Sequence, residues 1–154
     1  MTRSFAELLI LLLNLASADA LALVAGVLQK VMAGMDEHTF PGFLKQLHKG
    51  MQRSPWMITT STLHVVLLIP YAIVYGLGNT WFIAGGVTSI AASVVLSKPV
   101  ILPTYTTIYD TLDPGDTAAI RAWRDTLGRR NALRAAVQFV SVALMVVGLY
   151  GIQP

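Results

Sequence analysis

Four apolar runs, each long enough to cross a bilayer, constrain this chain more than any other feature. They cover about Phe5 to Met32, Pro55 to Leu77, Thr80 to Leu102 and Asn131 to Tyr150. Roughly 20 predominantly apolar residues suffice for a transmembrane helix. In lipid every backbone polar group must be satisfied within its own segment, so such runs become helices. A soluble bundle is the alternative, but 55% of the 154 residues are hydrophobic and only 12% are charged. So short a chain has too little interior to hide that surface from water. The sequence therefore predicts an all-α integral membrane four-helix bundle in a single domain, residues 1–154.

The connections are of two kinds. Gly76-Leu77-Gly78-Asn79 reads as a tight turn. The two others are longer. Between the first two runs, Phe40, Phe43, Leu44, Leu47 and Met51 recur on one helical face, with Lys45 and Lys49 off it. This predicts a short amphipathic helix within Asp36 to Arg53, lying at the membrane surface, with Pro41 in its first turn. Between the last two runs, Tyr105 to Arg130 is polar. Asp113-Pro114-Gly115-Asp116 reads as a turn, with Asp116 as N-cap of a polar helix from Thr117 to Leu127. Pro99 and Pro103 are expected to bend or end the third run. Ala16-Ser17-Ala18 resembles a signal-peptidase site. Glu7 is wrong for a positive leading region, however, and the apolar pattern continues to Val31.

The net charge is +3, and its placement carries the information. Lys30, Lys45, Lys49 and Arg53 border the first long connection. Lys98, Arg121, Arg124, Arg129, Arg130 and Arg134 border the second, and only Arg3 lies elsewhere. Four spans put both long connections on one side. The positive-inside rule then makes that side cytoplasmic and both termini non-cytoplasmic. These cations suit anionic lipid headgroups, and no nucleic acid is expected as a partner. There is no cysteine, which removes disulfides and thiolate metal sites. No Walker loop, GxGxxG or GxSxG is present.

Ionisable groups within the apolar runs are the first functional candidates, because lipid makes them costly. Asp19 lies mid-way along the first run and His64 mid-way along the second, with Thr60 and Ser61 one turn before it. An Asp19–His64 hydrogen bond would fix the imidazole tautomer and free the other nitrogen for a proton or a metal. It would equally hold two helices together. His48, on the amphipathic helix, is placed at the rim. His48 and His64 are the candidate metal ligands. His38 joins them only if the helix breaks near Pro41-Gly42, because ten helical residues separate it from His48 by roughly 15 Å. Gly85, Ser89, Ser93 and Ser97 form a small-residue stripe suited to close helix packing. Glu7 and Asn14 share one face, and Glu7 is expected to reach the interface. Tyr105, Trp123 and Arg130 are candidates for a cap over the bundle mouth that holds substrate, with Arg130 or Arg134 meeting an acidic side chain or an anionic substrate group.

Three local patterns carry a family resemblance. The first is Ala25-Gly26-Val27 with Val31-Met32-Ala33-Gly34-Met35-Asp36, Phe40 and Gln46-Leu47-His48. The second is Lys98-Pro99-Val100-Ile101-Leu102-Pro103. The third is Trp123 followed by an arginine, Arg130 or Arg134, opening the last run. With this layout the chain resembles the anthrone-oxygenase-like family of small integral membrane proteins, many of them assigned to a domain family of unknown function. The resemblance implies a four-helix membrane protein, some members of which oxygenate polycyclic anthrones to anthraquinones. It carries over Gln46, His48, Pro103, Trp123 and Arg130. The family pattern often has an asparagine after the second proline, whereas here Pro103 is followed by Thr104-Tyr105-Thr106.

The expected function is a membrane oxidoreductase or oxygenase for a lipophilic aromatic substrate. Its catalytic residues are His64, Asp19 and His48. Copper or iron would assist, or no cofactor at all, since an anthrone needs only proton removal to react with oxygen. The expected partners are the bilayer and a lipophilic small molecule, and a homo-oligomer is compatible with the sequence. The alternatives are a non-catalytic subunit or assembly factor, and a small transporter or proton relay. The orientation has a direct test. A C-terminal reporter active only outside the cytoplasm should be active, and activity of a cytoplasm-only reporter instead would refute the topology.

Overall fold

The computed structural model describes residues 2–113 and 115–151. It contains four helices long and apolar enough to cross a membrane: α1, Arg3–Ala33; α3, Pro55–Tyr75; α4, Thr80–Thr111; and α5, Thr117–Leu149. The short helix α2, Thr39–Arg53, joins the first two. No strand occurs among the described residues. Large apolar side chains cover the outside, including Trp56, Ile69, Ile73 and Val74, the last two 78% and 69% exposed. Contiguous apolar surface of this kind belongs against lipid. The protein is a multi-pass membrane bundle.

Capping fixes the helix starts. The Thr2, Ser54, Asn79 and Asp116 side chains accept from Phe5, Met57, Phe82 and Ala119 backbone N–H groups. Each satisfies a donor that the first helical turn leaves free. Asp116 thus caps as its sequence suggests, while Pro114 of the expected turn lies outside the described residues. Two boundaries differ from expectation. The polar helix after Asp116 does not stop at Leu127. It runs without a break into the fourth span, because nothing between Leu127 and Asn131 interrupts it. Nor do Pro99 and Pro103 end α4. Pro99 lies within a wide π stretch, Ala91–Ile101, and Pro103 opens the α-helical turn that follows it, ahead of a second π stretch over Thr107–Thr111. Wider turns relieve the proline ring's clash with the preceding turn. Side chains take the irregular carbonyls: Ser97 donates to Ala92 O at 3.1 Å, and Thr104 and Arg130 donate to Val100 O at 2.8 and 3.0 Å.

Helix α5 packs on both α1 and α4, and α1 packs on α3. Backbones approach closely where glycine allows it. A Cβ on Gly85 would lie 2.6 Å from Met145 Cγ and 2.7 Å from Ser141 O; one on Gly148 would lie 2.6 Å from Phe82 N. Helices in lipid gain little from apolar burial against one another, so such close packing is what holds them.

One end of the bundle is closed by protein rather than lipid. The apolar face of α2 turns inward, with Phe40 and Leu44 fully buried against Met32, Ile101, Tyr105, Ile108, Ile120 and Leu127. The sequence predicts this face, but places it in the membrane interface. Arg124 caps the end of α1 by donating to Met32 O and Met35 O at 3.3 and 2.8 Å, where a cation also meets the helix dipole favourably. Glu37 receives Arg121 at 2.6 Å, and Lys45 meets Asp110 at 2.8 Å. The Arg121 hydrogen bond holds the Glu37 carboxyl below its usual range. Its contribution is complete above the ordinary glutamate value and is lost as pH falls through the lowered one. The opposite end is tied by Glu7. Its Oε1 accepts from Tyr71 Oη at 2.5 Å, Asn79 Nδ2 at 2.9 Å and Arg3 Nε at 3.0 Å. Glu7 is only 6% exposed, so it pairs within the bundle instead of reaching the interface.

Replacing Gly85 by leucine forces α4 and α5 apart. Overpacking of this kind costs about 1–3 kcal/mol, so the thermal midpoint in detergent should fall; an unchanged midpoint would show that the close approach carries no stability.

Candidate functional site

Two polar assemblies occupy the bundle. The deeper one is built from one face of each span. In α1 the buried positions include Glu7, Ile10, Asn14, Ser17 and Leu21; in α5 they include Asn131, Gln138, Ser141 and Met145. Both sets follow a spacing of three and four, which lines one side of a helix. At the centre, Asn14 Nδ2 donates to Ser141 Oγ at 2.8 Å, and Ser141 donates to Gly85 O at 2.7 Å. Gln138 Nε2 donates to Asn14 Oδ1 and, at 2.9 Å, to Ser89 Oγ. His64 Nδ1 lies 2.7 Å from Thr60 O, and His64 Nε2 lies 2.7 Å from Ser89 Oγ.

Two backbone carbonyls orient this network. A carbonyl only accepts, so His64 carries a hydrogen on Nδ1, and Ser141 gives its hydrogen to Gly85. The Asn14 amide nitrogen must then face Ser141, and its oxygen must face Gln138. The one Ser89 hydroxyl hydrogen has two acceptors in reach with a neutral imidazole: His64 Nε2 at 2.7 Å and Asn14 Oδ1 at 3.0 Å. All four spans are thereby joined.

This corrects the expected Asp19–His64 pair. Both ring nitrogens of His64 are taken up by Thr60 and Ser89. Asp19 is exposed and lines a separate groove with Leu23, Met51 and Trp56. The reason is angular: Asp19 stands two residues beyond buried Ser17, about 200° around the helix. The donor set does not fit a metal. His64 has no free nitrogen, α2 runs unbroken through Pro41-Gly42, His38 is exposed ahead of it, and the described residues gather no cluster of three His, Asp or Glu side chains.

The second assembly is a cavity of about 370 Å³ to which all five helices contribute. One part of its wall is apolar, with Leu21, Val24, Met57 and Ile101. The other is polar, with His48, Tyr105, Asn131, Arg134, Ser97 and Lys98. The π turns of α4 set Ser97, Lys98 and Ile101 into this wall. The His48 ring lies 4.7 Å from that of Tyr105. Its Nδ1 is 2.9 Å from Tyr109 Oη and its Nε2 is 3.1 Å from Gln52 Nε2. An amide nitrogen only donates, so Nε2 accepts and Nδ1 carries the hydrogen. Burial pushes the His48 imidazole below the ordinary histidine value, which favours its neutral form. The Asn131 Nδ2 atom sits beside Tyr105, buried with no partner at hydrogen-bond geometry.

Of the candidates read from sequence, His48 and Tyr105 line this cavity. His64 lies behind it, with its neighbours Thr60 and Ser61 in the wall. Trp123 packs instead against the Phe40–Leu44 cluster, and Arg130 binds Val100 O and Thr104 Oγ1. Gln46 and Pro103 are exposed. Asn131 lines the cavity where the sequence suggests Trp123, and of the two arginines the sequence offers it is Arg134, not Arg130, that lines it. Their signal was present in the 131, 134, 138, 141 spacing, which continues one face of α5 from the core into the cavity.

No family model matches this chain, and no curated protein or solved structure matches it. The family resemblance rests on the residues that carry it.

Replacing Asn14 by leucine removes the group that joins Gln138 to Ser141 and leaves buried donors unpaired. A loss of about 1–3 kcal/mol is expected, read as a lower unfolding midpoint in detergent. Wild-type stability in that variant would show that the network does not hold the spans together.

Proposed function

We propose that this protein is a small membrane oxygenase acting on a lipophilic, enolisable aromatic substrate of the anthrone type. The observation that carries the reading is the His48 imidazole, which burial holds below the ordinary histidine value, on the wall of a partly apolar cavity that also presents the Asn131 amide nitrogen, buried without a partner at hydrogen-bond geometry. Apolar walls with a few converging polar groups are the usual form of a small-molecule site. The family resemblance, which includes His48, points the same way.

The chemistry asks little of the protein. His48 Nε2, held only by the exposed and displaceable Gln52 amide, takes a proton from the carbon between the aromatic rings. The electron pair moves onto the substrate carbonyl oxygen, where the Tyr105 hydroxyl donates to the developing oxyanion. The electron-rich carbon then adds dioxygen. Loss of water from the hydroperoxide leaves a second carbonyl, so substrate and dioxygen give quinone and water. A donor placed where charge develops, with a base tuned to be neutral, supplies the acceleration without a metal ligand set.

A second reading is favoured by the His64 network, which is spent wholly on joining helices. It is a non-catalytic membrane subunit whose cavity only binds.

The test is oxygen uptake with an anthrone by protein in liposomes. His48→Ala should lower turnover by about 10²–10⁴-fold, the usual contribution of a general base. The wild-type acid limb should fall below the ordinary histidine value of about 6.5, because activity is lost only when the lowered His48 group protonates. Undiminished turnover in His48→Ala would refute the base, and absence of turnover in the wild type would favour the binding subunit.

A further inference from the structure

The polar part of the cavity is one-sided in charge. Arg134 and Lys98 both line it, and no aspartate or glutamate does. Other arginines nearby are answered: Arg121 and Arg124 meet Glu37, and Arg130 meets Val100 O and Thr104. Arg134 is not. Its Nε is buried with no hydrogen-bond partner, as is Asn131 Nδ2, one helical turn before it on the same face of α5. Tyr105 lies close to both.

A guanidinium placed within a membrane span without a counter-charge is expensive. A buried donor without an acceptor costs about 1–3 kcal/mol more. Two such donors on adjacent turns, open to one cavity, lack the same thing: a group with several acceptor oxygens and negative charge. A carboxylate or an acidic phosphate meets that description, and arginine is the side chain that grips either one best. Apolar Leu21, Val24, Met57 and Ile101 line the same cavity.

We infer that the cavity selects a lipophilic anion, with its acidic group on Arg134 and Asn131 and its hydrocarbon body on the apolar wall. The inference rests on this cavity being the ligand site, and not on the reaction proposed for it. It deepens that proposal by naming the substrate class: an aromatic compound that already bears an acidic group, apart from the carbon that reacts. Lys98, exposed at the rim, adds long-range attraction rather than a fixed contact.

The experiment is a fluorescence titration of the full-length protein in an uncharged detergent. The probes are anthracene-9-carboxylate and 9-anthracenemethanol, which share a ring system and differ in charge. The carboxylate should bind about tenfold or more tightly than the alcohol. Arg134→Gln should remove that preference and leave alcohol binding unchanged, whereas Arg134→Lys should keep part of it. Displacement of the carboxylate by phosphatidylglycerol but not by phosphatidylcholine would support the same anion chemistry and assign the occupant to the bilayer. Displacement by neither lipid assigns it to a free acid. Equal binding of acid and alcohol by the wild type overturns the inference and needs no variant; so does an unaltered preference in Arg134→Gln. If acid and alcohol bind alike while His48→Ala still abolishes turnover, the anion site fails and the reaction stands. If the preference holds while no anthrone is consumed, the reaction fails and the site stands.

Discussion

The bundle depends on a short chain of hydrogen bonds at its centre. Lipid surrounds the spans, so burying one apolar helix face against another gains little over leaving it in hydrocarbon. Close contact and polar pairing must do the joining. Gly85 and Gly148 supply the contact. Asn14, Gln138, Ser141, Ser89 and His64 supply the pairing, and Thr60 O and Gly85 O fix the directions of the His64, Ser141 and Asn14 donors. An asparagine in mid-membrane is costly alone. Here both ends of its amide are paired, the nitrogen with Ser141 and the oxygen with Gln138, whose own amide oxygen is buried without a hydrogen-bond partner.

The same logic separates the two histidines. His64 has spent both nitrogens on neighbours and behaves as a joint. His48 stands on the helix that closes the bundle, where protein, π turns and cavity meet, and its contacts with Tyr109 and Gln52 leave it reachable. The cavity lies where regular packing gives way. Irregular turns in α4 around Pro99 bring Ser97, Lys98 and Ile101 into its wall, and α2 brings His48 and Met51.

Much of this was legible in the sequence. The four spans, the apolar stripe of Phe40, Phe43, Leu44, Leu47 and Met51, though not its inward orientation, the Asp116 cap and the packing role of Gly85 all follow from periodicity and composition. Three things were not. An ionisable residue in an apolar run draws attention, yet periodicity decides whether it faces in or out, and Asp19 is on the wrong arc. Glu7 sits near a helix end, where an outward reach is the default; Tyr71 and Asn79, 64 and 72 residues away, reverse it. Among several arginines at the start of the last span, Arg129 is exposed, and only the tertiary partners of Arg121, Arg124 and Arg130 show that Arg134 is the one whose buried Nε has neither partner nor counter-charge.

The continuity of α5 has a mechanical consequence. Its 33 residues make a rod about 50 Å long, while the hydrocarbon slab is about 30 Å thick. Nearly four turns therefore stand clear of the lipid or in its headgroups. Arg121 and Arg124 grip the α1–α2 connection near one end of this rod; Gln138 is a fulcrum in the core, and Arg134 lies between them. With no hinge along its length, a tilt imposed at the polar end is delivered undiminished to the cavity wall, so the connections act as a handle on the site.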